Sequence, residues 1–121
     1  MFQDKLVIIV DDDAQIRSLT YEIVASLGFK TEAFESGLEG ARRMNAKDYD
    51  LLITDNQNGE RKSFWGVELV QRSQHFHPEA KTILMSTEQV EQHTANRFIL
   101  KGAGFIDNLE KAILSLMTDS N

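Results

Sequence analysis

"LVIIVDDDAQIRSL", residues Leu6 to Leu19, is the stretch whose reading decides the fold. Its first five residues are aliphatic, mostly β-branched and without polar interruption, which suits a strand buried on both faces of a parallel sheet. Three aspartates then close the run. Directly after them Ile16, Leu19, Tyr21, Ile23, Val24 and Leu27 recur at helical spacing, and Gly28 stands where a helix C-cap glycine belongs. A buried strand that passes through an acidic turn into an amphipathic helix is the opening of an α/β unit.

The same alternation continues along the chain. Lys30 to Phe34 reads as a short strand, Ser36 as the cap of a helix running to about Asn45, and "YDLLITD", Tyr49 to Asp55, as a second apolar strand ending in a carboxylate. After a polar, Gly-containing loop, Val67 to about Gln74 predicts a helix that stops before the only proline, Pro78. "TILMST", Thr82 to Thr87, predicts a strand ending in hydroxyls. A long helix over about Glu88 to Lys101, a short strand at Gly104 to Ile106 and a last helix from about Leu109 to Met117 complete the reading. Five β-α units imply one doubly wound parallel sheet with helices on both faces, expected as a single domain over 1–121.

Composition narrows the function. Of 121 residues 41% are hydrophobic and 26% charged, enough for one core. Thirteen basic against 19 acidic residues give a net charge of −6, with no basic cluster beyond Arg42-Arg43 and Arg61-Lys62. Direct nucleic-acid binding and attraction to an anionic membrane are disfavoured. The absence of cysteine excludes disulfides and thiolate metal sites, and no apolar run is long enough to span a bilayer. The expected location is the cytoplasm.

In open α/β sheets a ligand site lies beyond the carboxyl ends of the strands. Here those ends offer Asp11, Asp12 and Asp13 after the first strand, Asp55 after the third, Ser86 and Thr87 after the fourth, and Asp107-Asn108 after the fifth. Two carboxylates about 4 Å apart at an effective dielectric near 20 repel by roughly 4 kcal/mol. A raised pKa or a bound cation relieves that repulsion. An all-oxygen donor set selects a hard ion, Mg²⁺ or Mn²⁺. Beside such an ion Asp55 is suited to act as a nucleophile forming a transient acyl phosphate. Asp13, adjacent to the helix start, reads as its N-cap.

With these residues in place the chain resembles the receiver domain of bacterial two-component response regulators, over essentially its whole length. "VIIVDDD" looks like the family's strand with its acidic pair, "YDLLITD" like the strand carrying the phospho-acceptor, "TILMST" like the strand with the switch hydroxyl, and "GAGF" like the approach to the fifth strand with its switch aromatic. The resemblance implies a flavodoxin-like (β/α)5 fold with strand order 2-1-3-4-5. It implies that Asp11, Asp12, Asp55 and the backbone carbonyl of Gln57 hold Mg²⁺, and that Asp55 accepts a phosphoryl group from a histidine kinase or phosphotransfer protein. Ser86 would be the switch hydroxyl, Phe105 the switch aromatic, and the fourth helix, fifth strand and fifth helix the face that meets a downstream protein or a second copy. Catalysis would extend no further than self-phosphorylation from a phosphodonor and slow autodephosphorylation.

Two departures from the family stand out. A lysine followed by proline is usual three residues after the aromatic, and Asn108 and Leu109 stand there. Lys101, placed by this reading at a helix end, and Lys111, on the last helix, are not expected to take its place. The step after Asp55 lacks the usual Met-Pro and reaches Gly66 through a loop about three residues longer than usual, in which Arg61 and Lys62 read as solvated. Loss of a charge-assisted hydrogen bond of roughly 1.5–3 kcal/mol predicts an intact acidic site with an altered switch. The alternative is a degenerate receiver that binds partners without phosphorylation; a small-substrate hydrolase is disfavoured for want of a lid or second domain. His75, His77 and His93 read as surface residues and Trp65 as a loop-packing one.

Overall fold

Apolar strand patterning and well-placed caps build most of the architecture. The computed structural model describes residues 2–57 and 65–118. Its elements are β1 (Leu6–Val10), α1 (Ala14–Ser26), β2 (Lys30–Phe34), α2 (Gly37–Ala46), β3 (Leu51–Asp55), α3 (Gly66–Phe76), β4 (Lys81–Ser86), β5 (Arg97–Leu100) and α4 (Phe105–Thr118). Asp13 caps α1 by accepting from the Gln15 and Ile16 amides, and Ser36 caps α2 by accepting from Glu39 N–H. The helix turns away after Leu27 through Gly28, whose φ of 102° lies in the left-handed region.

All five strands are parallel, in the order β2-β1-β3-β4-β5. Side chains on successive strand residues point to opposite faces. Val7, Ile9, Ile53, Ile83, Met85 and Ile99 therefore share one core with Val24 of α1 and with Leu109 and Ile113 of α4. Ile8, Val10 and Leu52 share the other with Met44 of α2 and Leu69 of α3. Each such buried aliphatic side chain contributes roughly 1.5–3 kcal/mol. No described helix is long and apolar enough to cross a membrane.

The expected order after β4 needs correction. Glu88 to Lys101 does not form a helix. Residues 87–96 are irregular, β5 follows at Arg97–Leu100, and Gly104 to Ile106 is not a strand, because Phe105 begins α4. Among the described residues there are four helices rather than five. The cause is geometric. β5 pairs with β4 so that Ile83 lies beside Arg97 and Ser86 beside Leu100. The return must therefore be made by residues 87–96 alone, about the minimum for a crossover, with no room for a helix and a loop at each end.

Side-chain bonds stand in for helical ones in this segment. Thr82 N–H donates to Asn96 Oδ1 at 2.8 Å and Asn96 N–H donates back to Thr82 Oγ1 at 3.1 Å. Thr94 Oγ1 donates to Gln74 Oε1 at 2.7 Å, while Gln74 Nε2 donates to the Thr94 carbonyl at 2.6 Å. His93, expected on a helix surface, instead stacks its ring on Phe98 with centroids 5.5 Å apart. His77, expected in solvent, is half-buried with Nε2 2.8 Å from the Met44 carbonyl oxygen. Arg61 and Lys62 lie outside the described residues.

Candidate functional site

The carboxyl ends of β1, β3, β4 and β5 meet at one edge of the sheet. Because β1 and β3 are neighbours in register, the residues just after Val10 and at the end of β3 are brought together. Asp11 is fully buried, Asp55 is 7% exposed and Asp12 is exposed. One oxygen from each of the three carboxylates lies within 4.8 Å of the others. Asp11 Oδ1 also accepts from Asp13 N–H at 2.9 Å, and Arg17 Nη1 donates to the Asp11 carbonyl oxygen at 2.8 Å. One of these bonds comes from the cap residue of α1 and the other from α1 itself, so the acidic turn is tied to the start of the helix.

A cation joins the cluster from the end of β5. Lys101 Nζ lies 2.9 Å from Asp11 Oδ2 and 2.9 Å from Asp55 Oδ1, with its side chain 8% exposed. Lys101 N–H donates to the Ser86 carbonyl at 2.7 Å, so continued pairing with β4 delivers the residue to the site. The expectation that Asn108 occupies this position is overturned. Asn108 is exposed on the first turn of α4, and its N–H bonds to the Gly104 carbonyl oxygen. Phe105 likewise is not on the fifth strand; it starts α4 and packs against the core from there. Phe98, on β5 three residues before Lys101, holds the aromatic-to-lysine spacing in place of Phe105 and Asn108. The signal was present in "RFILKG", a short apolar run closed by a cation and a glycine.

Burial governs the electrostatics. It pushes the Asp55 carboxyl up to about 6, against the opposing hydrogen bond from Lys101 and with the Asp11 charge adding to the rise. It raises Asp11 as well, again opposed by Lys101. Burial alone would lower the Lys101 ammonium, but bonds to the two carboxylates reverse this and its pKa is raised. With all four groups ionised the cluster carries three negative charges against one positive. A divalent cation would neutralise the difference, and the all-oxygen donor set fits a hard one.

A cavity of about 320 Å³ opens over this cluster, lined among others by Asp12, Asp55, Gln57, Trp65, Ser86 and Lys101. Ser86 Oγ, 3.1 Å from Glu88 N, accepts that amide's hydrogen. Trp65, 38% exposed, stands at the entrance of α3, where its N–H donates to Glu68 Oε1 at 2.9 Å. Gly66 lets α3 approach the acceptor strand closely: a Cβ there would clash with the Asp55 carbonyl oxygen and lie 2.7 Å from Asn56 Cα.

The response regulator receiver domain family matches residues 7–115. The chain belongs to that family. Similar solved structures carry the same fold. A CheY-like receiver domain protein from Methanospirillum hungatei JF-1 is 24% identical, with 94% of each chain covered and a TM-score of 0.80. The response regulator TrrA from Thermotoga maritima, solved in complex with Mg(2+)-BeF, is 25% identical over 93% of this chain and 98% of that one, with a TM-score of 0.80. An orphan response regulator of H. pylori, HP1043, is 17% identical over 97% and 99%, again with a TM-score of 0.80. No curated protein sequence matches significantly. The chain is thus a receiver domain of signal transduction.

Proposed function

We propose that this receiver domain accepts a phosphoryl group on Asp55 from a histidine kinase or phosphotransfer protein and passes the signal on by protein contact. The observation that carries the proposal is the pairing of Lys101 with Asp11 and Asp55, 2.9 Å from each, beside the exposed Asp12. An acidic cluster with its own buried cation matches the residue types the family uses, and it supports the phosphorylatable reading over the degenerate alternative as far as that alternative rested on a missing lysine.

In the transfer, an Asp55 carboxylate oxygen forms a bond to phosphorus as the phosphorus–nitrogen bond of the donor imidazole breaks. With its pKa at about 6, Asp55 is mostly ionised at neutral pH and ready to attack. Asp11, Asp12, Asp55 and the Gln57 carbonyl would hold Mg²⁺, which supplies charge neutralisation for the incoming phosphoryl oxygens. TrrA, at 25% identity, was solved with Mg(2+)-BeF, which supports this assignment. Lys101 would move its ammonium from Asp55 to a phosphoryl oxygen. Ser86 would donate its hydroxyl to another, giving up its bond with Glu88 N–H. Phe98, rather than Phe105, would be the switch aromatic, since it shares β5 with the approach to Lys101.

The output face would consist of residues 87–96, β5 and α4. A second reading, an interaction module that needs no phosphorylation, draws on the irregular 87–96 segment, which leaves that face without a helix of its own. Incubation with Mg²⁺ and acetyl phosphate separates the two. A phosphoryl adduct in the mass spectrum, lost in Asp55→Asn, is the expected result; no adduct and no Mg²⁺-dependent change in Trp65 fluorescence would leave the second reading standing.

A further inference from the structure

Asn56 follows the acceptor directly, and three hydrogen bonds converge on it. Its N–H donates to the Met85 carbonyl at 2.9 Å, its own carbonyl accepts from Gly66 N–H at 2.7 Å, and its side-chain Oδ1 accepts from Val67 N–H at 3.2 Å. The first bond continues the β3–β4 ladder one residue beyond Asp55. The other two reach across the whole connection from 57 to 65 and fasten its far end to its near end. Gly66 gives a second, independent sign of the same tight junction: α3 starts so close to β3 that no side chain fits there.

We propose that Asn56 is a positioning residue of the acceptor site, whose side-chain carbonyl holds the first turn of α3 against the end of β3 and thereby fixes the backbone on which Gln57 offers its carbonyl to the metal. The inference rests on the reading of Asp55, Asp11 and Asp12 as the metal-dependent acceptor cluster. The physical reasoning is that a ligand on an irregular backbone is only as well placed as its base. Here the step after the acceptor reads Asn56-Gln57 and contains no proline to stiffen it. The N–H of Val67 is one of the helix-terminal donors with no partner inside α3, and a side-chain acceptor satisfies it here. Asparagine at 56 meets that demand from the residue next to the nucleophile. Groups that orient metal ligands without touching the metal are typically worth 10–100-fold in metal affinity.

The test is Asn56→Ala, with Asn56→Asp as the variant that keeps an acceptor for Val67 N–H, and Tyr49→Phe as a control that loses a buried bond at the opposite end of the sheet, Tyr49 OH to Ser73 Oγ at 2.7 Å. Calorimetric titration with Mg²⁺ should show at least tenfold weaker binding in Asn56→Ala, wild-type or tighter binding in Asn56→Asp, and unchanged binding in Tyr49→Phe. In metal-free protein, amide hydrogen exchange should speed up at Gly66 and Val67 in Asn56→Ala alone. Unchanged Mg²⁺ affinity in Asn56→Ala, with stability lowered as in Tyr49→Phe, would overturn the proposal and leave a merely structural cap. Wild-type protein that binds no Mg²⁺ would instead overturn the acceptor-site reading itself, whatever the exchange rates show. Should Asn56→Ala fail to fold, equal exchange at Val67 in Asn56→Asp and Asn56→Ser, whose shorter side chain reaches less far, would overturn the proposal on its own.

Discussion

Asp55→Asn, in the absence of metal, should make the protein more stable. The wild-type carboxyl titrates near 3.8 in its ordinary environment and at about 6 in the folded protein, chiefly because it is buried. The folded state therefore holds the Asp55 proton more tightly than the unfolded one. Its favourable contribution is complete below the unfolded pKa and is lost as pH rises through about 6. At about 1.4 kcal/mol per pH unit, the interval corresponds to about 3 kcal/mol above neutrality, an upper figure because water enters when the carboxylate ionises. An amide has no such ionisation and still offers Lys101 an oxygen. Urea unfolding in chelator, followed by Trp65 fluorescence and circular dichroism from pH 4 to pH 8, measures the gap. It should be small at pH 4, open up to about 3 kcal/mol by pH 7.5, and narrow on adding Mg²⁺, which stabilises only the folded form that binds it. A variant less stable than wild type at pH 7.5 without metal, or a gap that does not change with pH, would refute the reasoning.

Lys101→Met should destabilise the metal-free protein by roughly 3–5 kcal/mol, since it strips the partner from two buried carboxylates. Asn108→Ala should stay within about 0.5 kcal/mol of wild type, and the pair of melts tells which residue serves the site. Gly66→Ala places a methyl group against the Asp55 carbonyl and should cost more than about 2 kcal/mol by overpacking, seen as a lowered urea midpoint at unchanged slope. Tyr49→Phe should cost about 1 kcal/mol through loss of the bond to Ser73, with no effect on Mg²⁺ titration.

What could be read from the sequence follows the range of the information each element needs. β1 and β3 announce themselves, since a continuous apolar run closed by aspartate has no good alternative to a buried strand. Asp13 and Ser36 act within three residues of where they stand, and the caps they form were legible for that reason. The place of Lys101 is not legible locally, because it depends on pairing that the local sequence does not contain. Glu88, Gln89, Glu91 and Gln92 are good helix formers, with no glycine or proline among residues 87–96. Only the register of β5 on β4 shows that the chain must already be back at the level of Ile83 by Arg97. Propensity yielded to distance. The Asn56 clamp escaped for the same reason: its partners stand 10 and 11 residues further along, at Gly66 and Val67.

The short return to β5 also bears on how open the border of the sheet is to other chains. β5 ends the sheet, and a strand at an edge invites another chain to add to it. This one offers a poor template. It is four residues long and opens on the exposed Arg97, whose guanidinium bonds to the Asn96 carbonyl and to Ser115 Oγ. The opposite border, β2, carries the exposed Lys30 and the half-buried Glu32, which is paired with Arg43. Both borders of the sheet are therefore short and carry charged residues, the features that make an edge strand a poor template for another chain.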